Sequence, residues 1–108
     1  MEKPKIVCIC GSTKFIDEHA IYRWELEKQG IIGLGINLLP INHGYEKDHQ
    51  AEKDGVKEIL DNLHLRKIDL ADEVHIINKN GYIGESTRRE IEYAIKQNKL
   101  IKYIYKDI

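Results

Sequence analysis

A chain of 108 residues, 42% of them hydrophobic, has room for one domain with one core, spanning residues 1–108. Seventeen Lys plus Arg against 18 Asp plus Glu leave a formal net charge of -1, which argues against a nucleic-acid polymer or a membrane surface as partner. No stretch is apolar for long enough to cross a bilayer and the first residues carry no secretory core, so the expected compartment is a reducing cytoplasm.

Residues 5–10 form a continuous apolar run ending at Gly11, the pattern of a strand buried on both faces inside a parallel sheet. Cys8 and Cys10 lie two apart in that run, so they share a face and cannot bridge one another. A metal site built on them would need further soft ligands, and none is near in sequence. Both are therefore expected to be core thiols. A loop over residues 11–14 leads into a helix over about residues 16–29. Its expected apolar positions are Ile16, Ala20 and Trp24, with Tyr22 and Leu26 as additions, and Gly30 closes it.

Residues 31–39 read as a strand weakened by Gly33 and Gly35, and residues 41–50 as a long loop. Val56, Ile59, Leu60 and Leu63 give helical spacing over about residues 53–67. Residues 73–78 read as a third strand and residues 79–84 as a loop. A last helix over residues 86–98 has the stripe Thr87, Ile91, Ala94 and Ile95, and a strand over residues 100–105 follows. The alternation predicts an α/β fold with a parallel sheet of order 2-1-3-4 and helices on both faces. In such a sheet a ligand sits at the carboxyl ends of strands one and three, where two chemically rich loops converge.

The first of these loops, Gly11-Ser12-Thr13, offers hydroxyls and backbone amides at a helix start, to which Lys14 adds charge. It suits an anion or a sugar hydroxyl, and equally a simple helix cap on Ser12 or Thr13. The second loop runs through Gly81, Gly84, Glu85 and Ser86, with Ser86 as the expected N-cap. A capping box would need Glu or Gln where Arg89 stands, so Glu90 is one position off the simplest structural role. Glu90 also has no charge partner four residues away. It reads either as a helix-edge carboxylate or as a nucleophile kept ionised by the helix dipole. Glu92, with Arg88 four residues earlier, reads as a surface pair. His64 and His75 read as packing histidines, and His43 with Tyr45 as residues able to close over a ligand. No HxxxH or HExxH spacing occurs, so neither a metal nor another cofactor is expected.

The strand end Ile9-Cys10-Gly11-Ser12, the segment Ile68-Asp-Leu-Ala-Asp-Glu-Val74, the loop Gly81-Tyr-Ile-Gly-Glu-Ser-Thr87 and Glu90-Ile-Glu-Tyr-Ala94 together resemble the nucleoside 2-deoxyribosyltransferase-like superfamily. That superfamily includes 2'-deoxynucleoside 5'-phosphate N-hydrolases. The resemblance implies a flavodoxin/Rossmann-like sheet of four or five strands and a homodimer or higher homo-oligomer. It also implies Glu90 as the nucleophile that forms a covalent glycosyl-enzyme, with Ser86 and the Gly11-Ser12 amides holding a 5'-phosphate. The expected substrate is a small-molecule nucleoside or nucleotide.

Two positions depart from the family pattern: His64 stands where many members carry an aspartate, and Glu92 replaces a glycine. The chain also ends at Ile108, without the C-terminal extension some transferases lend a neighbour. These departures favour hydrolysis or weakened activity over transfer, with His64 or Glu85 as acid/base. A nucleotide-binding sensor without turnover is the competing expectation. A flavin-binding electron carrier is disfavoured, because its phosphate loop and flanking aromatics are missing.

Overall fold

The computed structural model describes residues 2–47 and 49–106. Asp48, inside the long loop, and Ile108, at the chain end, lie outside the described residues. Four strands, β1 (Ile6–Cys10), β2 (Ile32–Leu34), β3 (Glu73–Ile76) and β4 (Leu100–Tyr103), form one parallel sheet of order β2-β1-β3-β4. The helices are α1 (Ile16–Lys28), α2 (Gln50–Lys53), α3 (Lys57–Leu70) and α4 (Glu85–Lys96). The expected α/β class and strand order are therefore those of the protein.

β1 pairs with β2 on one side and β3 on the other, and Val7, Cys8, Ile9 and Cys10 are all essentially inaccessible to solvent. Its side chains divide the core by strand alternation. Val7 and Ile9 point to a cluster with Phe15, Leu26 and Ile77, under α1. Cys8 and Cys10 point the other way, to a cluster with Ile68, Ala71, Val74, Ile76, Ile91 and Ala94, under α3 and α4. Main-chain contacts extend the sheet beyond its strands: Ile77 N–H donates to Cys10 O at 2.8 Å and Ile104 N–H to Ile76 O at 2.9 Å. Buried Asn78 then clamps Tyr105, donating to its carbonyl and accepting from its N–H, both at 2.9 Å.

The helix registers differ from the expected stripes. In α1 the inward residues are His19, Tyr22 and Leu26, while Trp24 is 63% exposed and Ala20 is also outside. In α3 they are His64 and Ile68, while Ile59 and Leu63 face solvent. The apolar residues of α1 and α3 form no clean stripe, so tertiary burial of two histidines sets the rotation that hydropathy alone mis-sets. α4 keeps Thr87, Ile91 and Ala94 inside and turns Ile95 out. β2 is shorter than expected, and the following segment is fastened to α3 where Lys67 Nζ donates to Gly35 O at 2.7 Å. Within the long loop residues Ile41–His43 make a short 3-10 turn. Among the described residues no helix is long and apolar enough to cross a membrane.

His75 is a structural histidine. Tyr22 Oη donates to its Nδ1 at 2.6 Å, its Nε2 reaches Glu73 at 2.9 Å, and Lys5 pairs with that carboxylate at 2.8 Å. Replacing Tyr22 by Phe leaves the buried ring nitrogen without a donor. We expect Tyr22→Phe to lower unfolding free energy by about 1–3 kcal/mol in urea titration. Ligand affinity at the opposite end of the sheet should stay unchanged.

Candidate functional site

The carboxyl ends of β1 and β3 open into a cleft of about 460 Å3, within the usual size range of small-molecule sites. All eight residues singled out from the sequence line it: Gly11, Ser12, Thr13, His64, Gly84, Glu85, Ser86 and Glu90. They come from the β1–α1 loop, the middle of α3 and the start of α4. The long loop contributes Glu46, Lys47 and His49 to the wall; His43 and Tyr45 are not among the lining residues.

Gly11 is set by close approach. A Cβ there would stand 2.8 Å from Ile77 Cβ and 3.3 Å from His19 Nε2. His19, buried by α1, donates from Nε2 to Gly11 O at 3.1 Å and so fixes the loop from beneath. Burial holds this imidazole below its ordinary pKa, and Nδ1 has no hydrogen-bond partner among the described residues. Ser12 Oγ accepts from Lys14 N–H at 3.2 Å and caps the 3-10 turn Thr13–Phe15. Lys14 Nζ lies 3.7 Å from the Tyr82 ring centroid, and Phe15 meets the same ring edge-on at 6.0 Å. Tyr82 thereby ties the two loops together at the cleft mouth.

α4 begins one residue earlier than expected. Gly84 is its N-cap, and no side chain makes a cap hydrogen bond, so Ser86 is a first-turn residue rather than the cap. The first-turn amides are thus left as donors at the edge of a cleft lined by Gly84, Glu85, Ser86 and Thr87. Glu85 is a poor acid/base candidate: its side chain is 87% exposed and it pairs with Arg89 at 3.1 Å. Arg89 also donates to Ser86 Oγ at 3.4 Å.

One turn deeper, Glu90 has only 16% of its side chain exposed and faces His64, with Oε1 at 3.8 Å from Nε2. The charge partner missing along α4 is supplied from α3. Burial raises the Glu90 pKa above the usual carboxylate value, against the stabilising pull of His64. Burial therefore opposes the ionised form that the helix dipole was expected to favour. His64 is pulled down by burial, but a hydrogen bond with Cys8 and the charge of Glu90 together hold it above its ordinary value.

His64 Nε2 also lies 3.6 Å from Cys8 Sγ and 3.3 Å from Cys10 Sγ. The hydrogen bond from Cys10 holds the Cys8 thiol well below its usual range, while Cys10, as the donor and fully buried, is pushed up. The two cysteines are core residues as expected, yet they are also polar partners of the cleft histidine. Sequence spacing concealed this because 56 and 54 residues separate them from it. The one available signal was that β1 carries two small polarisable residues on the face that α3 must cover.

Compared with known proteins, the chain matches no family model, no curated protein and no solved structure.

Two outcomes follow from the geometry. Gly11→Ala should cost about 1–3 kcal/mol in denaturant titration, since the added carbon meets a fixed core side chain. For Glu90, a folded pKa raised above the unfolded value means a penalty that is absent below the unfolded pKa and grows as pH rises toward the folded one. With chelator present, Glu90→Gln should therefore melt above wild type at about pH 8, the gap closing by about pH 4. Equal melting temperatures at both pH values would contradict the buried carboxylate.

Proposed function

We propose that this protein cleaves the N-glycosidic bond of a nucleoside or nucleoside 5'-monophosphate, with Glu90 as nucleophile. The observation that carries the reading is the position of the Glu90 carboxyl. It sits one helical turn below open first-turn amides, at the floor of a cleft sized for a nucleotide, with an imidazole 3.8 Å away. An anionic phosphate at the α4 N-terminus and the Gly11-Ser12 loop would leave the sugar directed inward.

The reaction follows the double displacement of retaining glycosidases. A Glu90 oxygen attacks the anomeric carbon as the bond to the base nitrogen breaks. The leaving base takes a proton, and His64, 3.8 Å from the Glu90 carboxylate, is assigned as its donor. Water then attacks the same carbon, returns its proton to the imidazole and releases the carboxylate. The elevated Glu90 pKa has a direct consequence, since only the ionised form attacks. The likeness of residues 68–94 to the nucleoside 2-deoxyribosyltransferase-like superfamily supports the same chemistry, and with it a cytoplasmic homo-oligomer.

A binding module without turnover is the second reading. What favours it is that Glu90 is turned toward His64 in a mostly buried setting rather than held free in the cleft. One assay separates the two: chromatographic detection of free base from a panel of nucleosides and nucleoside 5'-monophosphates. We expect release by the wild type, a loss on the order of 10³-fold or more in Glu90→Ala, and a loss of about 10²–10⁴-fold in His64→Gln. No release from any substrate, with calorimetric binding retained, would leave the sensor.

A further inference from the structure

Two sulfurs and one carboxylate oxygen converge on one atom. Cys8 Sγ, Cys10 Sγ and Glu90 Oε1 lie 3.6, 3.3 and 3.8 Å from His64 Nε2. Each of Cys8, Cys10 and His64 can present one ligand atom, and these atoms all lie within 4.8 Å of one another. A single ring nitrogen has one proton or one lone pair to offer, so it can serve one sulfur well but not two sulfurs and an oxygen together. A cation placed between the two sulfurs and the ring nitrogen serves all three.

From this convergence we propose that Cys8, Cys10 and His64 bind a thiophilic divalent cation of the zinc type. The distances fit. Zn–S bonds of about 2.3 Å and Zn–N bonds of about 2.0 Å at a tetrahedral angle put sulfur and nitrogen about 3.5 Å apart. The observed 3.3 and 3.6 Å bracket that value. The chemistry fits as well: two thiolates and an imidazole are a soft donor set that selects zinc over magnesium or calcium.

Charge fits also. The ion displaces one proton from each thiol, and two thiolates then neutralise its two positive charges. No uncompensated charge remains among the fully buried neighbours Ile68, Ile76 and Ala94. The ligand backbone is already rigid, because both cysteines belong to the central strand and His64 to a fourteen-residue helix packed on it. His64 and Glu90 line the cleft while the sulfurs lie behind them, so the ion enters from the cleft.

The site shares His64 with the proposed reaction, in which the same imidazole carries the proton, but it is tested without substrate. Full-length protein purified under reducing conditions is stripped with chelator, then titrated with Co(II) and, in competition, with Zn(II). The site predicts one ion per chain, a thiolate-to-cobalt charge-transfer band in the near ultraviolet and the intense visible bands of tetrahedral Co(II). Cys8→Ser, Cys10→Ser and His64→Gln should each weaken Zn(II) affinity by about 100-fold or more, since even losing a partner that only orients a ligand costs about 10–100-fold. Glu90→Gln should weaken it less.

Circular dichroism of each stripped variant establishes that it is folded, and the wild-type cobalt spectrum needs no variant. Absence of the charge-transfer band in wild-type protein would overturn the site. So would cysteine variants that fold and bind Zn(II) like wild type. Base release by a protein that binds no metal would remove this inference alone; metal binding without base release would remove only the enzymatic reading.

Discussion

The pairing of β1 on both of its edges is the constraint from which the rest of the protein follows. A strand bonded to β2 on one side and β3 on the other sends consecutive connections in opposite directions. The loops after β1 and β3 must then diverge from the sheet end and leave a gap between them. Gly11 makes the gap usable, since any side chain at that point would collide with Ile77. The same strand, closed to solvent on both faces, fixes which side chains meet α1 and which meet α3 and α4.

On the α3 and α4 face, alternation along β1 presents two sulfurs where most such strands present branched hydrocarbons. Cysteine is small enough that a histidine can be seated against it under the sheet end, with Glu90 beside it. The result is a polar cluster in a place where burial penalises every charge. It persists because its members hydrogen-bond and pair with each other, not because any of them is comfortable alone. The opposing shifts of Cys8 downward and Cys10 upward are a sign of that mutual dependence. Contrast His75, whose two nitrogens are satisfied by Tyr22 and Glu73 and which does not line the cleft.

Stability and site chemistry are therefore opposed within a few ångströms. Thr87, Ile91 and Ala94 seat α4 on the core, and Glu90 is carried inward by the same helix face. Rotation that buries the apolar stripe also desolvates the carboxylate.

The sequence by itself determined the class of fold and the place of the cleft. An unbroken apolar run before Gly11, helices alternating with strands, and two polar, glycine-bearing loops leave few arrangements other than a parallel 2-1-3-4 sheet, because crossovers share one hand. It also identified Gly11 to Thr13 and Gly84 to Glu90 as chemically rich from residue type and position, whereas His64 read from position as a packing residue and gained a role only through the family resemblance. The rotation of α1 and α3, the true cap of α4 and the partners of Glu90 were decided only by the tertiary structure. Periodicity reports which residues are apolar, while burial of His19 and His64 depends on what the opposing strand leaves room for. Contacts between residues 8, 10 and 64 span more than fifty positions, and no local spacing encodes a distance set by packing a helix across a sheet.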